Sequence, residues 1–137
     1  MLKGSKTAEN LMKSFAGECQ ARTRYTYYSS IAKKEGYIQI ANIFMETAEQ
    51  EKEHAKIFLK FLKSEYNDEE IEIKASYPVA LHEETKNNLM KAADGENAEW
   101  TKDYPQFAQI AKKEGFNKIA MAYEKIAKIE ARHERRY

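Results

Sequence analysis

Ile31-Ala-Lys-Lys-Glu-Gly36 returns letter for letter as Ile110-Ala-Lys-Lys-Glu-Gly115, and the same offset of 79 carries Ile40-Ala41 onto Ile119-Ala120. A run of Ala, Lys and Glu closed by Gly marks the end of a helix, because Gly accepts the backbone of a C-terminal cap at little steric cost. The chain therefore reads as two copies of one helix hairpin. Working outward, the only prolines are Pro78 and Pro105, and the rest is rich in Ala, Glu, Lys, Leu and Ile. Four helices follow, at roughly residues 5–35, 37–65, 81–113 and 116–136. Asp94-Gly95 and Pro105 perturb the third without ending it.

Between the second and third helices, SEYNDEEIEIKASYPVA is polar with one short alternating stretch, IEIKA, and reads as a crossover. Two short connections and one long one predict an all-α fold: an antiparallel four-helix bundle, ferritin-like, with one long crossover between helices 2 and 3. The expected organisation is a single domain over 1–137, its two hairpins at about 5–65 and 81–136.

The 23 basic and 22 acidic residues are interspersed, for a net charge of +1. No field gathers nucleic acid or an anionic membrane. Cys19 is the single cysteine, which excludes an internal disulfide and any CxxC site of the rubredoxin or zinc-ribbon kind. No apolar segment is long enough to span a bilayer, and MLKGSKTAEN has no signal-peptide core, so the expected location is cytoplasmic.

Carried further, the repeat places Glu51 on Glu130 and His54 on His133, while Gly17-Glu18 matches Gly95-Glu96 at an offset of 78. Each half thus offers one Glu from its first helix and an ExxH from its second. Residues three apart share a helix face, so each Glu–His pair can grip one object. A single helical Glu says little, since most face water. Two of only three histidines following Glu at this spacing has a chance on the order of one in twenty, before the repeat is counted. Carboxylate oxygens with imidazole nitrogen suit iron or manganese, and two ExxH helices facing two Glu helices form the paired site of carboxylate-bridged bundles. His82, with Val79 three residues before it, reads as an exposed crossover residue, Cys19 as a packed and inert thiol, and Trp100 as an anchor of the third helix.

KTAENLMKSFAGECQARTRYTYYSSIAKKEG, TAEQEKEHAKIFLKFL, GENAEWTKDYP and IAKIEARHERRY resemble the erythrin domain of the rubrerythrins, the non-haem di-iron peroxidases. The resemblance implies that Glu51 and Glu130 bridge two irons, that Glu18 and Glu96 are terminal carboxylates, and that His133 completes one metal. It makes Glu99 the extra ligand that sets this family apart from ferritins, exchanging with His54 on one iron as the redox state changes. Charge counting supplies a reason: the four carboxylates neutralise two ferrous ions with His54 neutral, and Glu99 with a hydroxide restores balance on oxidation. Manganese or mixed occupancy suits the same donors.

Tyr25 lies seven residues after Glu18 and Tyr104 eight after Glu96, so their hydroxyls can reach ligand carboxylates. The implied activity is reduction of hydrogen peroxide to water in oxidative-stress defence, with Glu99 carrying the proton and His54, Tyr25 and Tyr104 assisting. Rubrerythrins commonly carry a C-terminal rubredoxin domain that this sequence lacks, so either a separate rubredoxin-like donor would return electrons or the sequence is a fragment of a longer protein. A homodimer is the expected assembly, and the long crossover leaves room for helices to be exchanged between protomers. The alternative is a ferritin-like iron oxidation and storage protein that uses O2.

Overall fold

The computed structural model describes residues 1–137 and contains helices and no strands. Helix α1 (Lys6–Lys34) and α2 (Ile38–Tyr66) form the first hairpin. The third rod of the bundle is α3 (Thr85–Ala98), a π-helical turn (Glu99–Asp103) and α4 (Tyr104–Lys113) in unbroken succession, and α5 (Asn117–Arg136) pairs with it. This is the expected ferritin-like bundle of four antiparallel rods with one long crossover, in which IEIKA runs without a strand partner.

Both hairpin turns close in the same way. Gly36 and Gly115 have φ of +88° and +90°. Their N–H groups donate to Lys33 and Lys112, and the next residues, Tyr37 and Phe116, donate to Ala32 and Ala111 at 2.8 Å. That is the Schellman closure the repeated Gly announces. The repeated Glu just before each Gly has a second task. Glu114 accepts from the backbone of Lys6 and Thr7 at the start of α1, and Glu35 accepts from Thr85 at the start of α3. Each half therefore caps the other, which locks α1 antiparallel to the third rod.

The third rod begins at Thr85, not near 81. Asn88 explains the difference: its side chain accepts from the His82 N–H and donates to the His82 carbonyl, each at 2.9 Å, holding that backbone outside the helix. His82 is accordingly half-buried, not exposed. Pro105 lies in the first turn of α4, directly after the π turn, and does not end the rod.

The core consists of two aromatic layers with a polar layer between them. One stacks Tyr104, Phe107, Tyr123 and Phe58; the other stacks Tyr25, Tyr28, Phe44 and Tyr137. The offset of 79 maps Tyr25, Tyr28, Phe44 and Phe58 onto Tyr104, Phe107, Tyr123 and Tyr137, so the two layers have equivalent members. Aromatic packing of this kind fixes the rods rigidly on both sides of the carboxylates. No helix is long and apolar enough to cross a membrane.

Candidate metal centre

Between the aromatic layers, α1 contributes Glu18, α2 contributes Glu51 and His54, α3 contributes Glu96, and α5 contributes Glu130 and His133. All six are buried, Glu18, Glu51 and Glu130 completely. They fall into two sets whose ligand atoms lie within 4.8 Å of one another: Glu18, Glu51, His54 and Glu130, and Glu51, Glu96, Glu130 and His133. Glu51 and Glu130 belong to both. His54 Nδ1 lies 3.1 Å from Glu130 Oε1, His133 Nδ1 lies 3.1 Å from Glu51 Oε1, and the two rings stand 6.2 Å apart and nearly parallel.

The site is not balanced by the protein alone. Six oxygens of the four carboxylates and both Nδ1 atoms are buried without a hydrogen-bond partner. Such a concentration of orphaned acceptors is costly unless a cation serves them. Burial, reinforced by the charges of Glu18 and Glu96, pushes the Glu51 carboxyl well above the usual range. Burial and then the charge of Glu51 do the same to Glu130. Burial raises Glu18 too, but contacts with Glu51, His54 and Tyr104 more than offset it and leave its carboxyl below the ordinary value. Hard oxygens, two imidazole nitrogens and two sets with shared carboxylates fit a pair of transition-metal ions.

The tyrosines act crosswise. Tyr25 donates to Glu96 Oε1 at 2.8 Å, and Tyr104 donates to Glu18 Oε1. Each hydroxyl thus steadies the carboxylate of the other half, and burial raises both phenols.

Glu99 stands beside the cluster but in neither set. It opens the π turn and feels the charge of Glu18, a member of the His54 set, ahead of Glu130, which both sets share, and Glu96, which belongs to the His133 set. Its Oε2 is buried and unpartnered, and burial followed by Glu18 raises its carboxyl well above the usual range. Trp100, next along the turn, donates to Glu134 of α5 at 2.6 Å and ties the rod down as expected. Cys19 is half-buried, its thiol raised by burial and by Glu18.

Sequence reasoning missed Gln50, whose Oε1 bonds His133 Nε2. The repeat hides it, because the offset of 79 lands on Ile129. His133 is consequently held from outside, whereas His54 borders an open groove with Glu46, Glu49, Glu53 and Arg132. The π turn did leave a signal. Glu18 and Ile31 are thirteen residues apart, Glu96 and Ile110 fourteen, and one residue added to a helix without breaking it produces a π turn.

Fold and site together define a ferritin-like four-helix bundle whose buried Glu/His cluster is able to bind a pair of metal ions. A sequence profile of the rubrerythrin family matches residues 9–137, and the chain belongs to that family. It is 62% identical to the rubrerythrin of Clostridium perfringens over 99% of its own length and 70% of that protein. It is 47% identical to the rubrerythrin of Nitratidesulfovibrio vulgaris over 99% of its length and 69% of that protein. Among solved structures, fully reduced, all-ferrous nigerythrin superposes with a TM-score of 0.84 at 32% identity, covering 100% of this chain and 69% of that one. Symerythrin from Cyanophora paradoxa, reduced with dithionite, gives 0.72 at 26%, covering 94% and 77%.

Proposed function

We propose that the protein is a di-iron peroxidase that reduces hydrogen peroxide to water, with electrons returned by a rubredoxin-like donor and the site housed in a homodimer. Glu18, Glu51, Glu96, Glu130, His54 and His133 would hold the two irons. When bound, the pair supplies two electrons together to one peroxide.

The observation that carries this reading is a convergence of two asymmetries on one ligand set. Glu99 occupies the place that Ala21 takes in the first half, three residues after the matched Glu. Of the neighbouring carboxylates it feels Glu18 most strongly, a member of the set of His54, the histidine that lacks the outer partner Gln50 gives to His133. An extra carboxyl and a histidine free to swing out thus meet at one position, as an exchange of His54 for Glu99 requires. A site built only to pass iron onward needs neither.

The chain's own residues then have distinct tasks. Glu51 and Glu130 span the two sets, and the aromatic layers keep them from spreading. Tyr25 and Tyr104 hold Glu96 and Glu18 in place by donating to them. Glu99, with its free Oε2, hands a proton to the peroxide oxygen that leaves as water.

Stopped-flow oxidation of anaerobically Fe(II)-loaded protein tests the reading through the rise of ferric absorption in the near ultraviolet. Oxidation much faster with hydrogen peroxide than with O2, at one peroxide per site, is expected. Equal or faster reaction with O2, continuing as Fe(II) is added, would overturn it in favour of iron oxidation and storage.

A further inference from the structure

A cavity of about 510 Å³ lies between α1, the third rod and the crossover. Its roof is the crossover segment 74–80, strapped to α1 by three bonds. Tyr77 donates to the Lys13 carbonyl at 2.7 Å, Arg24 to the Pro78 carbonyl at 2.8 Å, and Tyr28 to the Ala80 carbonyl. The side toward the metal ligands is formed by Tyr25, Tyr104 and Glu99. The two hydroxyls are already committed to Glu96 and Glu18, so the unpartnered Oε2 of Glu99 is the polar atom left there to meet a ligand. The remaining lining is mixed: Ala21, Ala92 and Phe107 form an apolar section, and Lys13, Arg24 and Lys91 are among the charged residues around it.

This space is out of proportion to hydrogen peroxide. A water occupies roughly 30 Å³ of liquid, and hydrogen peroxide is about the size of two, so the cavity exceeds the substrate several-fold. Its volume is that of a site for a small organic ligand. A chamber with an apolar wall section and the unpaired Glu99 carboxyl on its metal side suits a molecule with a hydrocarbon body and a polar, reducible end.

We infer that the cavity admits organic hydroperoxides, the alkyl or aryl group against its apolar wall and the –OOH end at Glu99, and that the protein reduces them alongside hydrogen peroxide. The inference rests on the peroxidase reading and extends its substrate class. The balance is the same: the O–O bond of ROOH breaks, two electrons from the reduced metal pair and two protons enter, and ROH and water leave. The one-electron donor that restores the pair for hydrogen peroxide restores it here.

Gly95 offers a clean test. It lines the cavity, and a Cβ built on it meets nothing within 4 Å, so Gly95→Phe projects a ring into open space. Iron-loaded wild type is expected to turn over both hydrogen peroxide and cumene hydroperoxide. Gly95→Phe should keep hydrogen peroxide turnover within about twofold while losing about tenfold or more in kcat/KM for cumene hydroperoxide, mostly through KM. Tyr77→Ala, which opens the roof, should lower KM for cumene hydroperoxide alone.

Binding without turnover gives a second readout. In zinc(II)-loaded protein, saturation-transfer NMR should detect 2-phenyl-2-propanol, the product alcohol, on wild type and not on Gly95→Phe. Wild type that reduces hydrogen peroxide but neither reduces the aryl hydroperoxide nor binds its alcohol would overturn this inference and spare the peroxidase reading. Reduction of neither peroxide would overturn both. Equal losses for the two peroxides in a normally melting Gly95→Phe would also overturn the inference, since the cavity would then not discriminate between them.

Discussion

Loading the carboxylate layer with divalent metal should raise the melting temperature by about 15–20 °C. Metal held a hundredfold above its dissociation constant stabilises the folded state by about 2.7 kcal/mol per ion, hence about 5 kcal/mol for two. Unfolding entropy is about 2.1 cal/mol/K per residue, so 137 residues give about 0.3 kcal/mol per degree. The ratio of the two figures is the expected shift. Membership of the ligand sets predicts how it divides among variants. Glu51 and Glu130 belong to both sets, so Glu51→Gln or Glu130→Gln should abolish most of the rise. Glu18 and Glu96 each belong to one, so Glu18→Gln or Glu96→Gln should remove about half. Metal-free Glu51→Gln should melt no lower than metal-free wild type, because the amide keeps the volume and removes a carboxylate that has no partner. The assay is anaerobic thermal denaturation followed by circular dichroism, with Fe(II), Mn(II) or Zn(II) against chelator. A rise below about 5 °C at saturating metal, or a Glu51→Gln protein that retains the full rise, would refute the assignment of two ions to two overlapping sets.

Gln50→Leu removes the outer partner of His133 and should weaken binding of one metal equivalent by about 10–100-fold, read by competition with a chelating dye. Ile129→Gln places an amide at the equivalent position beside His54 and should keep that histidine bound in both redox states, as crystals of oxidised and reduced protein would show. Tyr25→Phe and Tyr104→Phe each leave a buried carboxylate without its donor and should cost about 1–3 kcal/mol in urea denaturation of the metal-free protein. The hydrogen bonds of Thr85 and Thr7 hold the Glu35 and Glu114 carboxyls below their ordinary value, so the stability these caps supply is present above about pH 4.5 and lost as pH falls through the lower folded values. Glu35→Gln and Glu114→Gln should accordingly flatten the acid side of the curve of melting temperature against pH.

The bundle was legible because its punctuation is in the repeat. IAKKEG encodes a helix end, a left-handed glycine and, through its Glu, the cap on the opposite half's first helix, although that last task could not be seen until Thr7 and Thr85 were placed beside it. The ExxH pairs and the matched Glu18 and Glu96 were legible for the same reason: a cluster built from two copies is written twice. Gln50 was not, because the other half has Ile129, and a hydrogen bond made once leaves no pattern. The start of the third rod was misjudged because the Asn88–His82 clamp overrides helix propensity between 81 and 84.

The residues that break the repeat have a common consequence. An exact duplication would yield two equivalent metal positions, each with one terminal carboxylate and one equally supported histidine, and no reason for either to change ligands. Three departures remove that equivalence: Glu99 in place of Ala21, Ile129 in place of Gln50, and one added residue between Glu96 and Ile110. The added residue is absorbed as the π turn that begins at Glu99, so α3 can present Glu96 and α4 can present Tyr104 although they lie eight residues apart instead of seven. Glu99 feels Glu18, of the His54 set, ahead of Glu130 and Glu96, and Ile129 leaves His54 without the support that Gln50 gives to His133. On the proposed reading, the repeat would build a clamp for two ions, and the departures from it would make one position exchangeable while leaving the other fixed.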